Sequence, residues 1–157
     1  MEHYVLLVIL LSLLFSAFFS GTEIAYLQSN RLKIEIDKKQ GIVSAKILSF
    51  FVKNESKFIT TLLLGNNIAL VVYGIFMGDL IIKIIFPEFF NPITRDVSKE
   101  LPFYVLFSQT IISTLIILVT AEFLPKTIFR INPNRTLSIL AYPLVIVYVV
   151  LYVLTML

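Results

Sequence analysis

Long apolar stretches alternate with shorter polar segments along this chain. At 1.5 Å per residue, an apolar helix of about twenty residues crosses the hydrocarbon core of a bilayer. Residues 4–28, 58–86 and 103–124 reach that length and are predicted to be transmembrane helices. The pattern therefore predicts an all-α integral membrane protein that forms a single transmembrane domain over residues 1–157.

A fourth apolar stretch, at about 136–157, is interrupted by Pro143. Such a helix can cross the bilayer or lie along its surface, and periodicity does not decide between the two. We expect a membrane-associated juxtamembrane helical segment on the cytoplasmic side. The predicted number of transmembrane helices is therefore three.

The connections between these stretches differ in character. Residues 29–57 mix seven Lys and Arg with acidic residues and recurring Leu and Ile. This pattern is typical of amphipathic helices at a membrane surface, and Gly41 predicts a break between them. Residues 87–102 contain three prolines and charges of both signs, which predicts an exposed loop.

Composition excludes several classes of protein. The chain is 58% hydrophobic and only 15% charged, more apolar than a soluble domain of this length can bury. It has no Cys, which excludes disulfides and thiolate metal sites. Its only His is His3, so no His-based general base can be assembled, and we do not expect an enzyme.

The positions of the basic residues predict the orientation in the membrane. Seven Lys and Arg lie in 29–57 and three in 126–135, against two in 87–102. Because cytoplasmic loops carry the excess of basic residues, segments 29–57 and 126–135 are expected in the cytoplasm. The N-terminus and the 87–102 loop then lie outside a cell (inner) membrane. This distribution explains the net charge of +3 without a nucleic-acid partner.

Three polar islands interrupt the apolar stretches, at residues 16–23, 65–67 and 120–126. On the predicted topology all three lie at similar depth near the cytoplasmic side. Polar groups at membrane depth are costly unless they line a cavity, meet a partner or hold an ion. Hydroxyls, carboxamides and a carboxylate from separate helices favour a site for a hard cation.

The first two islands each present candidate oxygen ligands. Ser16 and Ser20 are spaced i and i+4, so their hydroxyls share one helix face. Asn66 and Asn67 project about 100° apart, and both reach one site only if the helix is distorted at Gly65. The alternatives are serines that bond to their own helix and an Asn that forms a helix–helix hydrogen bond.

The third island places a carboxylate beside a helix-breaking residue. Glu122 is the only acid of the third stretch, and Pro125 cannot donate to the carbonyl of Ala121. A freed carbonyl next to a carboxylate is a second indication of a cation site. The alternative for Glu122 is an ion pair with Lys126, one turn further on.

The three motifs together carry a family resemblance that covers nearly the whole chain. They are Ser16-Ala17-Phe18-Phe19-Ser20-Gly21-Thr22-Glu23, Leu64-Gly65-Asn66-Asn67 and Thr120-Ala121-Glu122-Phe123-Leu124-Pro125-Lys126. Their order and spacing resemble the transmembrane domain of unknown function 21, which the bacterial CorC and animal cyclin-M magnesium transport families share. The resemblance implies a homodimer in the lipid bilayer that exports Mg²⁺, in some members coupled to Na⁺ entry. It also implies cytoplasmic nucleotide-binding modules after residue 157.

The same resemblance implies an ion site on particular residues of this chain. Its members are Ser16, Ser20, Asn66, Asn67 and Glu122, with backbone oxygen around Gly21 and Ala121. The family usually has Gly where this chain has Ala121, and a Cβ there restricts the backbone. The expected mechanism is alternating access. The competing hypotheses are a magnesium-sensing regulator of another transporter and a membrane anchor for cytoplasmic modules.

Overall fold

The computed structural model describes residues 2–91, 96–97 and 101–155 of the chain. Within these ranges the chain is helical apart from short connections and one small hairpin. The elements in order are α1 (Glu2–Leu27), α2 (Arg31–Lys39), α3 (Val43–Lys53), α4 (Glu55–Ile85), a 3-10 turn (Pro87–Phe89), β1 (Phe90–Asn91), β2 (Asp96–Val97), α5 (Phe103–Ile117), a π-helical turn (Leu118–Phe123), α6 (Leu124–Ile131) and α7 (Pro133–Thr155).

Within the described residues, four helices are long and apolar enough to cross a membrane. They are His3–Leu27, Glu55–Ile85, Phe103–Ile131 and Pro133–Tyr152. The predicted count of three is therefore too low by this criterion, because the segment expected to be juxtamembrane also qualifies. Residues 156–157 of that predicted segment lie outside the described residues.

The third of these helices is longer than predicted. The helix continues beyond the predicted end of the span at residue 124, because α5, the π-helical turn and α6 follow one another without a break to Ile131. Pro125 lies in the first turn of α6. A proline is tolerated in a first helical turn, where its missing N–H has no helical partner to lose. In this chain the preceding π-helical turn, with its different hydrogen-bond pattern, accommodates the missing N–H of Pro125.

The buried core lies where α1, α3, α4 and α7 meet. The rings of Phe51 and Phe58 stack at a centroid distance of 4.3 Å. Tyr26 approaches Phe58 edge-on at 4.9 Å, and Tyr148 lies 5.3 Å from Phe51. These four aromatic residues come from four different helices, so their burial fixes the helices relative to one another.

The segment 29–57 folds into the two predicted amphipathic helices. Asn30 caps α2 by accepting a hydrogen bond from the N–H of Lys33 at 3.1 Å. The chain turns at Gly41, whose φ of +87° is a conformation that side chains with a Cβ rarely adopt. The predicted break at Gly41 is therefore confirmed, and α3 returns with Ala45, Leu48 and Phe51 buried.

The predicted exposed loop contains a small element of sheet. Strands β1 and β2 pair antiparallel, with Phe90 opposite Val97 and Asn91 opposite Asp96. This hairpin is an exception to the all-α prediction. Residues 92–95 and 98–100 of the predicted loop lie outside the described residues.

Candidate functional site

A hydrogen bond between α1 and α4 joins the first two polar islands. The hydroxyl of Ser16 donates to Oδ1 of Asn66 at 2.6 Å, across 50 residues of sequence. Ser16 is fully buried and Asn66 is half-buried. The structure therefore brings together two of the predicted ligand residues from different helices, in the helix–helix hydrogen bond that was named as the alternative for an Asn.

Asn67 is not part of this contact. Its side chain is exposed, because adjacent residues on a helix point about 100° apart. The condition under which both asparagines would reach one site, a distortion at Gly65, is not met, since α4 runs as continuous α-helix through Asn66 and Asn67. Gly65 instead provides room for the ring of Phe19, which would collide with a Cβ at this position.

Ser20 lies one turn beyond Ser16 on the same face of α1. It is 1% exposed, and its Oγ has no hydrogen-bond partner among the described residues. Leaving a buried hydroxyl unpaired costs on the order of 1–3 kcal/mol. An unpaired buried oxygen beside the Ser16–Asn66 pair fits a ligand position for a cation or a water molecule.

Two further buried hydroxyls of α1 also have no partner among the described residues, those of Thr22 and Tyr26. They are spaced i and i+4 and so share a face, but Thr22 is rotated by about 160° from Ser20. Thr22 lies within the first polar island but is not among the predicted ligand residues. Its only sequence signal is a hydroxyl in an apolar helix, and that signal does not show which face of the helix is buried.

Ala121 and Glu122 lie in the π-helical turn between α5 and α6. The N–H of Leu124 donates to the carbonyl of Val119, five residues back. Ala121 is fully buried, whereas Glu122 is partly exposed. The carboxylate of Glu122 accepts a hydrogen bond from Lys126 Nζ at 2.8 Å, which is the ion pair named as its alternative. Lys126 thus neutralises the one acid of the predicted site.

Gly21 marks a close approach between α1 and α6. A Cβ added at Gly21 would lie 2.5 Å from Cδ2 of Phe129, so the ring packs directly on the glycine. Helix α1 also packs against the π-helical turn that carries Ala121 and Glu122. The third island therefore lies beside α1, which is the helix that contributes Ser16 and Ser20.

The arrangement can offer only oxygen ligands. No group of three His, Cys, Asp or Glu side chains is close enough to hold a metal in the described part of the chain. The candidate atoms are two serine hydroxyls and the amide oxygen of Asn66, with the carboxylate of Glu122 on the neighbouring π-helical turn. Hard cations such as Mg²⁺ and Ca²⁺ prefer ligands of this kind. With one carboxylate, itself paired with Lys126, the site would bind a cation weakly.

An apolar groove of about 410 Å³ borders this polar cluster. It runs between α1, α4 and α7, and Phe19 and Gly65 form part of its wall. Its lining carries one hydroxyl, that of Ser12, which already donates to the carbonyl of Val8 at 2.8 Å. The groove therefore offers no free polar group that could guide an ion.

The fold and the polar cluster define a multi-pass helical membrane protein with hydrophilic side chains buried between its helices. The chain belongs to the cyclin M family: its residues 6–157 match the cyclin M transmembrane N-terminal domain.

Two curated relatives are similar over most of this chain. The UPF0053 protein MG146 of Mycoplasma genitalium is 31% identical over 158 residues, which cover 96% of this chain and 34% of the relative. The UPF0053 inner membrane protein YfjD of Escherichia coli is 28% identical over 128 residues, which cover 82% of this chain and 25% of the relative. The chain thus spans about a third of the length of the first relative and about a quarter of the length of the second. Family membership is consistent with a role in ion transport or a related membrane process.

Proposed function

We propose that this domain transports Mg²⁺ out of the cell by alternating access, with the ion bound between α1, α4 and the π-helical turn. The observation that carries the proposal is the 2.6 Å contact between Ser16 Oγ and Asn66 Oδ1, with the unpaired hydroxyl of Ser20 one turn away. Ser16, Ser20, Asn66 and Glu122 supply side-chain oxygens, and the carbonyls around Gly21 and Ala121 supply backbone oxygen. Asn67 is a ligand only if α4 rotates, because its side chain points away.

Binding requires two small rearrangements. The proton of the Ser16 hydroxyl, now directed at Asn66, turns away so that both oxygens face the cation. Lys126 also leaves Glu122, since an ammonium at 2.8 Å would repel a divalent ion at the same carboxylate. The ion therefore competes with Lys126 for Glu122, which keeps affinity low enough for release.

The proposed topology has three crossings, with α7 along the cytoplasmic surface. At the start of α7, Asn134 Oδ1 accepts from the N–H of Asn30 at 2.9 Å. Near its other end, the ammonium of Lys57 lies 6.0 Å from the centre of the Tyr152 ring. Both ends of a helix about 30 Å long thus contact the basic segment 29–57. A helix that crossed the bilayer would contact that segment at only one of its ends.

The proposed orientation places segment 29–57 in the cytoplasm and the N-terminus outside the inner membrane. The distribution of Lys and Arg supports it. The Escherichia coli relative is named as an inner membrane protein, which supports the choice of membrane.

A second copy of the chain and the cytoplasmic nucleotide-binding modules are the proposed partners. Few residues of the third membrane helix are buried, and Phe103, Phe107 and Leu115 expose 55–80% of their surface. Lipid or a helix of a second copy would cover such a surface. The proposal of Mg²⁺ export also includes its coupling to the entry of Na⁺.

The test is Mg²⁺ efflux from proteoliposomes of the full-length protein, with and without an inward Na⁺ gradient. Ser20→Ala and Glu122→Ala should each reduce efflux at least tenfold. The matched control is Ser12→Ala, because Ser12 is a buried serine of α1 whose hydroxyl is already bonded to its own helix. Equal efflux from Ser20→Ala, Ser12→Ala and the wild type would reject the site.

The same preparation separates the competing functions. A protein without efflux whose thermal stability still rises with Mg²⁺, and loses that rise in Ser20→Ala, would be a magnesium sensor. A protein that responds to Mg²⁺ in neither assay would be an anchor for its cytoplasmic modules.

A further inference from the structure

A row of exposed basic and apolar residues runs along the outer face of α3 into the start of α4. Val43, Lys46, Phe50 and Lys53 are exposed and follow one another at helical spacing, while Ala45, Leu48 and Phe51 on the other face are buried. Lys57 continues the row after the short break at Asn54. A helix with this division of apolar and basic residues is typical of a membrane interface.

The row ends in a cavity. This cavity, of about 400 Å³, lies between α3, α4 and α7 and is lined by Phe50, Asn54, Lys57, Tyr148, Val149 and Tyr152. Phe50 packs edge-on against Tyr148 at 6.0 Å, and Lys57 lies over the ring of Tyr152. One wall therefore carries an ammonium group, and the other walls are largely aromatic and apolar.

The row carries three lysines, of which Lys53 lies near enough to Glu35 to help lower the pKa of that carboxyl. In the described part of the chain, Lys46, Lys53 and Lys57 have no carboxylate within ion-pair distance. Two acids of the same segment are engaged elsewhere, Glu35 with Lys38 and Ser49 and Glu55 with Arg31. The third acid, Asp37, lies on α2, outside the row. A negatively charged group is therefore the complementary ligand.

The depth of Lys57 in the membrane narrows the class of that ligand. Lys57 immediately precedes Phe58, where the apolar part of α4 begins. A residue at this boundary lies at the level of the phospholipid phosphates. Tyr148 and Tyr152 are of the type enriched at this interface, where one end of the ring is apolar and the other is polar.

We propose that the row Val43, Lys46, Phe50, Lys53 and Lys57, which we call the α3 row, binds anionic phospholipid. The headgroup phosphate lies at Lys57 and Asn54 in the cavity, with Lys53 and Lys46 contacting neighbouring headgroups. Phe50 and Val149 contact the upper part of an acyl chain. This inference does not depend on which ion the domain transports.

The test measures lipid affinity of the intact protein in detergent by native mass spectrometry, with phosphatidylglycerol and phosphatidylcholine as probes. Phosphatidylglycerol should bind more tightly. Lys57→Gln should weaken it about fivefold, and the double variant Lys53→Gln/Lys57→Gln about 25-fold, if each lysine contributes about 1 kcal/mol at an anionic surface. The matched control is Lys39→Gln, an exposed lysine of α2 outside the α3 row, which should bind as the wild type does.

Three outcomes would overturn the proposal. Equal affinity for the two lipids would show that charge is not recognised. Equal losses in Lys57→Gln and Lys39→Gln would show a diffuse electrostatic effect instead of a site. Displacement of phosphatidylglycerol by soluble glycerophosphate at comparable concentration would show an anion site that does not require a lipid. Unchanged helix content by circular dichroism establishes that each variant is folded.

Discussion

The ammonium group of Lys126 lies 2.8 Å from the carboxylate of Glu122, one helical turn away. The pair is partly exposed, so its intrinsic strength is on the order of 0.2–1 kcal/mol. Its importance lies in competition, because a cation that uses Glu122 must displace Lys126.

Lys126→Met should therefore tighten Mg²⁺ binding. Removing an ammonium that competes for Glu122 with an energy in this range corresponds to a gain of about 1.5- to 5-fold in affinity. Isothermal titration calorimetry of the purified protein measures the change. Lys46→Met is the control, since Lys46 has no carboxylate partner among the described residues. Weaker binding in Lys126→Met would mean that the lysine supports the site instead of competing for it.

Asn66 and Asn67 should differ sharply in their contribution to ion binding. Asn66 Oδ1 contacts Ser16, whereas Asn67 is exposed. Asn66→Ala should abolish the thermal stabilisation that Mg²⁺ provides, and Asn67→Ala should retain it. The two variants control for each other because they remove the same side chain from adjacent positions. A loss confined to Asn67→Ala would contradict the assignment.

Gly21→Ala should destabilise the fold. Its Cβ would lie 2.5 Å from the Phe129 ring, and overpacking of this kind costs about 1–3 kcal/mol. Thermal unfolding followed by circular dichroism should show a lower midpoint, and adding Phe129→Leu should restore part of it. Gly74→Ala is the matched control, since a Cβ at Gly74 has no neighbour within 4 Å. If both alanine variants unfold alike, the close packing of Gly21 on Phe129 does not determine stability.

The contact between α2 and α3 should weaken in acid. A hydrogen bond from Ser49 lowers the pKa of Glu35, and a hydrogen bond from Lys38 lowers it further. Because the pKa is lower in the folded protein, the stabilisation is fully present above the ordinary glutamate pKa. It is lost as the pH falls through the depressed value.

Hydrogen exchange of the α2 and α3 amides as a function of pH, corrected for the intrinsic rate, measures this transition. Ser49→Ala removes the main cause of the lower pKa and should move the transition to higher pH. Ser56→Ala, at an exposed serine, should leave it in place. An unchanged transition in Ser49→Ala would show that Glu35 does not control it.

The elements that depend on local pattern could be predicted from the sequence. Gly41 separates α2 from α3 as expected, and the apolar stretches correspond to long helices. The contact between Ser16 and Asn66 agrees with the expectation that the islands lie at one depth. These features follow from backbone preference and hydrophobicity, which act over a few residues or a single helix.

Two features of the helices were missed, one set by a contact between distant residues and one by irregular hydrogen bonding within a helix. A glycine before two asparagines indicates a possible break, but Phe19 from another helix occupies the space and α4 stays continuous. Likewise, Pro125 normally ends a helix, yet the preceding π-helical turn accommodates it and the helix continues to Ile131. No local pattern in the sequence predicts the position of Phe19 or the π-helical turn.

The π-helical turn holds one residue more than an α-helical turn would over the same stretch of axis. Converting Leu118–Phe123 into regular α-helix would turn α6 about the axis of α5 by about 100°. Glu122 would then face a different neighbour, while α1 and α4 kept both their hydrogen bonds and their register. A helix that can exchange one register for another in this way can present or withdraw a carboxylate without unfolding.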